Sequence, residues 1–155
     1  MVVVRMRSSS RDKDTGFSLI ELLVVMIIIG ILAAIAIPTF LSQRQNGYKT
    51  AVKTDLRNAA TAIESLAINF QGAYNNAGVL GATAAGAALP ATVTAKFSPS
   101  QNVSVTVGKA ATATNFCIVA VNSGAAASFF VWDKTKKGLQ PAVYATAVAA
   151  RAICT

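Results

Sequence analysis

The longest apolar run of the chain extends from Phe17 to Ile37, and its one charged residue is Glu21. At the rise of an α-helix, its 21 residues measure about 31 Å, close to the roughly 30 Å hydrocarbon core of a bilayer. A helix of a soluble domain seldom needs an apolar surface on every side. The run therefore predicts a membrane-spanning helix over residues 17–38 rather than a buried core helix.

A second helical pattern follows over residues 39–71. Its apolar positions recur every three or four residues and are Tyr48, Val52, Leu56, Ala59, Ile63, Leu66 and Phe70. This spacing is typical of an amphipathic helix. The two patterns together predict one long helix, with weak points at Gly30 and at Pro38, where proline removes a backbone donor and favours a kink or local melting.

Three strand-like segments lie in the C-terminal third. Residues 103–107 alternate in polarity, residues 116–121 are continuously apolar, and residues 128–132 are rich in aromatic side chains. Turn-forming residues separate them, which predicts an antiparallel meander. The Ala/Gly-rich residues 72–102 are expected to form a surface loop with room for a short helical turn. The tail, residues 140–155, is expected to be an irregular return segment or a fourth strand.

A sheet of three strands cannot bury enough apolar surface to be stable alone. The long amphipathic stripe is the available cover, so we expect the sheet to pack on the second half of the helix. The predicted fold class is α+β: a long N-terminal helix, half transmembrane and half amphipathic, on a small antiparallel sheet of three to four strands.

The amino-acid composition excludes several common classes of catalytic site. The 155 residues suffice for one small domain, histidine is absent, and there are two cysteines. Histidine-based catalysis and a Cys/His metal cage within one chain are therefore excluded. The acids show no paired-carboxylate or metal-ligand spacing. We expect no enzyme activity, no cofactor and no metal.

Charge is distributed unevenly along the chain, which has a net charge of +8. The basic side chains Arg5, Arg7, Arg11 and Lys13 precede the apolar run, so the N-terminus is expected to stay in the cytoplasm. A small residue, Gly16, comes before the run and not after it, unlike an ordinary secretory signal. The apolar helix is therefore expected to be retained.

Two further basic clusters are Lys49, Lys53 and Arg57 on the predicted helix, and Lys134, Lys136 and Lys137 at a predicted turn. A solvated surface is the simpler interpretation. The alternative is contact with acidic groups of a neighbouring subunit, with DNA or with an anionic cell-wall polymer.

The two cysteines, Cys117 and Cys154, bracket most of the predicted sheet and the tail. In an exported domain such a pair is typical of a disulfide, which would stabilise the fold by roughly 4 kcal/mol in the chain-entropy model. Two buried free thiols are the alternative.

Glu21 lies one helical turn inside the apolar run, where a carboxylate is costly. One interpretation is a snorkelling or protonated acid at the membrane edge. The other is that Glu21 forms an ion pair with a cation of a partner. Cleavage between Gly16 and Phe17 would create one, because the new α-amino group of an adjacent chain could then pair with Glu21 and fix the register of the two helices.

The sequence Gly16-Phe17-Ser18-Leu19-Ile20-Glu21, with its basic leader and apolar run, resembles the type IV prepilin signature. The resemblance implies that a prepilin peptidase removes residues 1–16 and that Phe17 is N-methylated. It also implies that Glu21 pairs with the N-terminus of a neighbour, that the helix melts near Gly30 and Pro38, and that residues 103–155 form a sheet and a disulfide-closed C-terminal segment. The initiator is Met1 or Met6.

The resemblance further implies a set of partners and locations. These are identical or related pilin subunits in a helical polymer, the peptidase and an inner-membrane assembly platform. The chain would span the cytoplasmic membrane once before assembly and lie in an extracellular filament afterwards, with roles such as adhesion or motility. The alternatives are a pseudopilin of a type II secretion or DNA-uptake system and a monomeric membrane-anchored binding domain.

Overall fold

The computed structural model describes residues 16–81, 83–125 and 127–154, so the expected leader up to residue 15 lies outside the described residues. Two compact units divide between Phe40 and Leu41. The elements in chain order are α1 (Leu19–Ile68), α2 (Ala91–Thr94), β1 (Val103–Lys109), β2 (Cys117–Asn122), β3 (Phe129–Asp133), β4 (Gly138–Leu139) and α3 (Ala147–Ala152).

The first unit contains the N-terminal part of α1. Its large apolar side chains are all exposed, from Leu19 to Phe40. In the described part of the chain, α1 is the one helix that is long and apolar enough to cross a membrane, judged by length and composition. The helix is continuous through Gly30 and Pro38, and melting at these two residues stays a prediction.

The second unit, residues 41–155, contains a four-stranded antiparallel sheet in the order β1-β2-β3-β4. Val105 pairs with Ala120 across the first two strands, and Val119 pairs with Val131 across the next two. The register shifts between Val107 and Lys109, which places a bulge near the end of β1. The predicted meander is confirmed, with a short fourth strand added.

The sheet and the C-terminal half of α1 share one hydrophobic core. The predicted stripe supplies Val52, Leu56, Ala59, Ile63 and Leu66, all buried, and the sheet side supplies Val105, Val107, Phe116, Ile118 and Phe130. Burying a large aliphatic or aromatic side chain contributes about 1.5–3 kcal/mol. The α+β fold expected from periodicity is confirmed.

The segment between α1 and β1 contributes more to this core than a surface loop does. It buries Tyr74, Val79, Leu80, Leu89, Val93 and Phe97. A short helical turn, α2, is present as expected. Burial was not predicted here because these apolar residues follow neither a helical nor a strand period.

A buried carboxylate ties this segment to α1. Asp55 is 3% exposed and accepts hydrogen bonds from the backbone N–H of Ser100 at 2.8 Å and from its hydroxyl at 3.0 Å. Because the two residues are 45 positions apart, the contact fixes where the chain enters β1.

The tail differs from the expectation of an irregular segment or a fourth strand. The fourth strand precedes it, and the tail forms an isolated bridge between Tyr144 and Phe129 followed by α3. The hydroxyl of Thr146 caps α3 by accepting from the N–H of Ala149 at 3.1 Å. The alanine-rich composition favours this helix, but so short an element carries little periodic signal.

A disulfide joins Cys117 of β2 to Cys154 after α3, with a Cα–Cα distance of 5.7 Å. The predicted bridge is confirmed, and the alternative of free thiols is wrong. Cys117 and Val119 alternate along β2 with the core residue Ile118, so they point to the opposite face of the sheet. Together with Val131, Ala150 and Cys154 they form a second small cluster that holds the tail on that face.

The disulfide requires a residue without a side chain beneath it. A Cβ placed on Gly108, in the bulge of β1, would lie 2.6 Å from Sγ of Cys154 and 3.1 Å from Sγ of Cys117. We expect Gly108→Val to block closure of the bridge and to cost roughly 2–5 kcal/mol of unfolding free energy. Thiol labelling of the denatured, unreduced protein and a thermal melt measure the two effects.

The matched control is Gly47→Ala in α1, because a Cβ there meets nothing within 4 Å. It should keep the disulfide and gain up to about 1 kcal/mol of stability from helix propensity. A fully oxidised Gly108→Val protein with an unchanged melting temperature contradicts the crowding argument.

The two hydrogen bonds between Asp55 and Ser100 predict different losses of stability for substitutions of the two residues. Asp55→Ala removes the acceptor of both hydrogen bonds that exposed Ser100 donates and should cost about 1–3 kcal/mol. Ser100→Ala keeps the N–H bond and loses only the hydroxyl bond, so it should cost about 1 kcal/mol. Denaturant unfolding compares the variants, and an equal loss in both contradicts a dominant role for the backbone bond.

Candidate functional site

The start of α1 is a capping box formed by Ser18 and Glu21. Ser18 immediately precedes the first helical residue, and its hydroxyl accepts from the N–H of Glu21 at 3.3 Å. In return, a carboxylate oxygen of Glu21 accepts from the N–H of Ser18 at 2.8 Å. Two N–H groups that the helix cannot satisfy internally are thereby bonded.

Glu21 was predicted to pair with a cation, and its part in this cap was not predicted. The signal was present, because Ser-x-x-Glu before an apolar run is the pattern of a capping box. The structure therefore adds an intrachain contact for a residue predicted to act between chains.

No cation of the same helical stretch faces Glu21, because residues 16–43 contain no lysine or arginine. The carboxylate lines a shallow groove of about 430 Å³ with the apolar side chains of Phe17, Ile20, Val24 and Val25. Hydrogen bonding to a neutral amide leaves the negative charge uncompensated. A countercharge for Glu21 has to come from outside this stretch.

The expected cleavage point is accessible. Gly16 and Phe17 precede the helix in a non-helical conformation, and the side chain of Phe17 is 85% exposed. A Cβ on Gly16 would meet nothing within 4 Å. This part of the backbone is thus open to an extended mode of binding, for which glycine has the needed conformational freedom.

The basic cluster at the β3–β4 turn is partly engaged within the chain. The ammonium of Lys134 donates to the hydroxyl of Tyr74 and lies 4.2 Å from the centre of its ring. Lys136 donates to the carbonyl of Ile153 after α3. Lys137 is exposed in the turn. Two of the three amines therefore hold the fold together, which weakens the idea of a polymer-binding cluster here.

The helical cluster is divided as well. The ammonium of Lys53 lies 5.4 Å from the ring centre of Phe130, and Lys49 is half-buried. Arg57 is exposed. Contact of either cluster with an anionic partner stays a prediction. The described residues contain no group of three or more His, Cys, Asp or Glu side chains able to hold a metal.

Comparison with known families finds a known motif near the N-terminus. Residues 11–37 match the prokaryotic N-terminal methylation motif, and this segment includes Gly16, Phe17 and the capping box. This segment therefore carries the N-terminal methylation motif of type IV prepilins, and the chain is similar to proteins named type IV pilins. Type IV pilins are structural proteins, so this similarity agrees with the expectation of no enzyme activity.

Individual relatives are similar to the chain over little more than a third of its length. A type IV major pilin protein, PilA, of Myxococcus xanthus is 47% identical over 58 residues, which cover 37% of this chain and 26% of that protein. The type II secretion system core protein G of Pseudomonas aeruginosa is 39% identical over 54 residues, 35% of this chain and 38% of that one.

The type IV major alpha-pilin of Moraxella bovis is 44% identical over 54 residues, which cover 35% of this chain and 34% of that protein. The chain therefore spans less than two fifths of the length of these curated relatives.

Proposed function

We propose that this chain is a structural subunit of a type IV pilus filament. A prepilin peptidase cleaves after Gly16, Phe17 becomes the methylated N-terminus, and the subunit polymerises through its apolar helix. Before assembly the helix crosses the cytoplasmic membrane once with the N-terminus inside. An inner-membrane assembly platform then moves the subunit into an extracellular filament of identical or related pilins.

One observation carries this proposal. Glu21 lies at the start of an exposed apolar helix in a stretch without any basic side chain, within a segment that matches the methylation motif. A carboxylate brought into an apolar helix bundle needs a cation. The α-amino group that cleavage creates on an adjacent Phe17 supplies it.

A pseudopilin of a type II secretion or DNA-uptake system is the second candidate, favoured by the likeness to core protein G. It shares the N-terminal chemistry but forms a short assembly in the cell envelope. Long filaments on wild-type cells with this chain as main component favour the pilus. A mature N-terminus at Met1 or Met6 favours the third candidate, a monomeric membrane-anchored binding domain.

Mass spectrometry of the N-terminal peptide from sheared filaments tests the proposal. We expect a peptide beginning at Phe17 and heavier by one methyl group. Gly16→Val is the control that should block cleavage and leave a membrane-bound precursor, because the peptidase needs an extended, uncrowded residue at the cut. Filaments whose subunits still carry residues 1–16 contradict the proposal.

Two substitutions separate the cap from the charge of Glu21. Glutamine is tolerated at this position of a capping box, so Glu21→Gln should preserve the start of the helix while removing the charge. Glu21→Val removes both. If pairing between chains matters, both variants should be processed normally and both should lose filaments on the cell surface. Normal filaments from Glu21→Gln with loss from Glu21→Val would instead assign Glu21 a capping role alone.

A further inference from the structure

The folded unit of residues 41–155, here called the head, is strongly basic. It carries ten basic and three acidic side chains, a net charge of +7. Two of the acids are buried and hydrogen-bonded within the head, Asp55 to Ser100 and Asp133 to Thr135. The third, Glu64, is exposed on α1. It is the exposed acid in the part of the head that the structure describes.

Glu64 has no cation within reach along its own helix. Side chains interact along a helix at spacings of three and four residues, and these positions around Glu64 hold Ala60, Thr61, Ala67 and Ile68. No ion pair or hydrogen bond of the Glu64 side chain occurs among the described residues. The acid therefore has no partner within the described head.

Arg57 is the matching cation on the same face. It precedes Glu64 by seven residues, which is about 10.5 Å along the axis and about 20° around it. Its side chain is exposed and makes no hydrogen bond or ion pair within the described structure. Lys53, one turn earlier, already lies against the ring of Phe130.

We propose that Glu64 of one subunit pairs with Arg57 of a second copy of this chain, with the two α1 helices parallel and shifted by about 10.5 Å. An acid and a base separated along one helix face complement the same face of another copy only after such a shift. A shifted contact is heterologous and does not close on itself, so its repetition produces an open fibre.

The charges of the head indicate that the partner of Glu64 is a second copy of this chain. Two heads of net charge +7 repel each other, so an attractive contact between exposed charges of two heads has to use their one exposed acid. The inference rests on the proposed function, since it assigns a contact within the polymer of this chain. It adds a charge pair between heads to the pairing proposed for Glu21.

Charge exchange in the full-length chain tests the pairing. Glu64→Arg and Arg57→Glu should each lower the amount of sheared filament by about tenfold, since each places like charges opposite one another. The double variant restores a pair of opposite sign and should recover most of the loss, as a double-mutant cycle requires. Lys109→Glu, an exposed charge reversal at the end of β1, is the matched control and should assemble normally.

The readouts separate the two hypotheses. Variants are compared at equal levels of membrane-bound, disulfide-bonded protein, which shows that the head has folded. Wild-type filaments should dissociate more readily as salt is raised, because salt screens exposed ion pairs. Glu64→Gln, a milder change, removes the proposed ion pair, so the stability of its filaments should not depend on salt in this way.

Unchanged filaments from Glu64→Arg, or a double variant as defective as the singles, overturn the pairing and leave the pilus proposal intact. Absence of filaments from the wild-type chain under conditions that process it overturns the pilus proposal and the pairing with it.

Discussion

The structure depends on how the apolar surface of the first part of α1 is removed from water. From Leu19 to Phe40 the large side chains point outward on every side and remain exposed. Each one contributes about 1.5–3 kcal/mol when buried, so the free chain in water is strongly disfavoured. Because a helix satisfies its backbone hydrogen bonds internally, the same segment suits a bilayer and a bundle of its own copies.

The change of pattern within α1 decides where the folded domain begins. Up to Phe40 the helix is apolar all round, and from Val52 onward a single stripe is buried against the sheet. The opposite side of this second part is polar and charged. One helix therefore has two parts with different surfaces. The strands and the segment after α1 pack against the buried stripe of its second part.

The periodic spacing of apolar residues predicted the helix and the strands, but it did not predict buried positions in segments without a regular spacing. The stripe from Val52 to Leu66, the strands and their meander follow from spacings of 3.6 and 2 residues, and the disulfide follows from an even pair of cysteines in an exported domain. The buried positions between residues 72 and 102 follow no period. Nor did spacing show that the ammonium groups of Lys134 and Lys136 bind Tyr74 and the tail, since such contacts depend on the folded sheet.

At the helix start, the structure adds a hydrogen-bonded cap to the residues that the sequence singled out. Glu21 was singled out because an acid inside an apolar run conflicts with its surroundings, and Gly16 and Phe17 because the sequence resembles a cleavage signature; the roles of all three stay predictions. The cap by Ser18 was not predicted, although it affects the free-energy cost of a carboxylate in apolar surroundings. The hydrogen bond from the Ser18 N–H lowers this cost but does not neutralise the charge of Glu21.

Polar groups matter for assembly because apolar burial has no preferred register. Two apolar helices lose similar areas of surface to water when one slides along the other, since the hydrophobic effect is non-directional. Charge pairs define the shift between copies, because exposed charges attract appreciably only within about a Debye length, roughly 8 Å at physiological salt. An apolar run with one acid, Glu21, and a head with ten basic residues and one exposed acid among those that the structure describes allow few such pairs. The scarcity of acids therefore favours one arrangement of neighbours over the many that burial alone would permit.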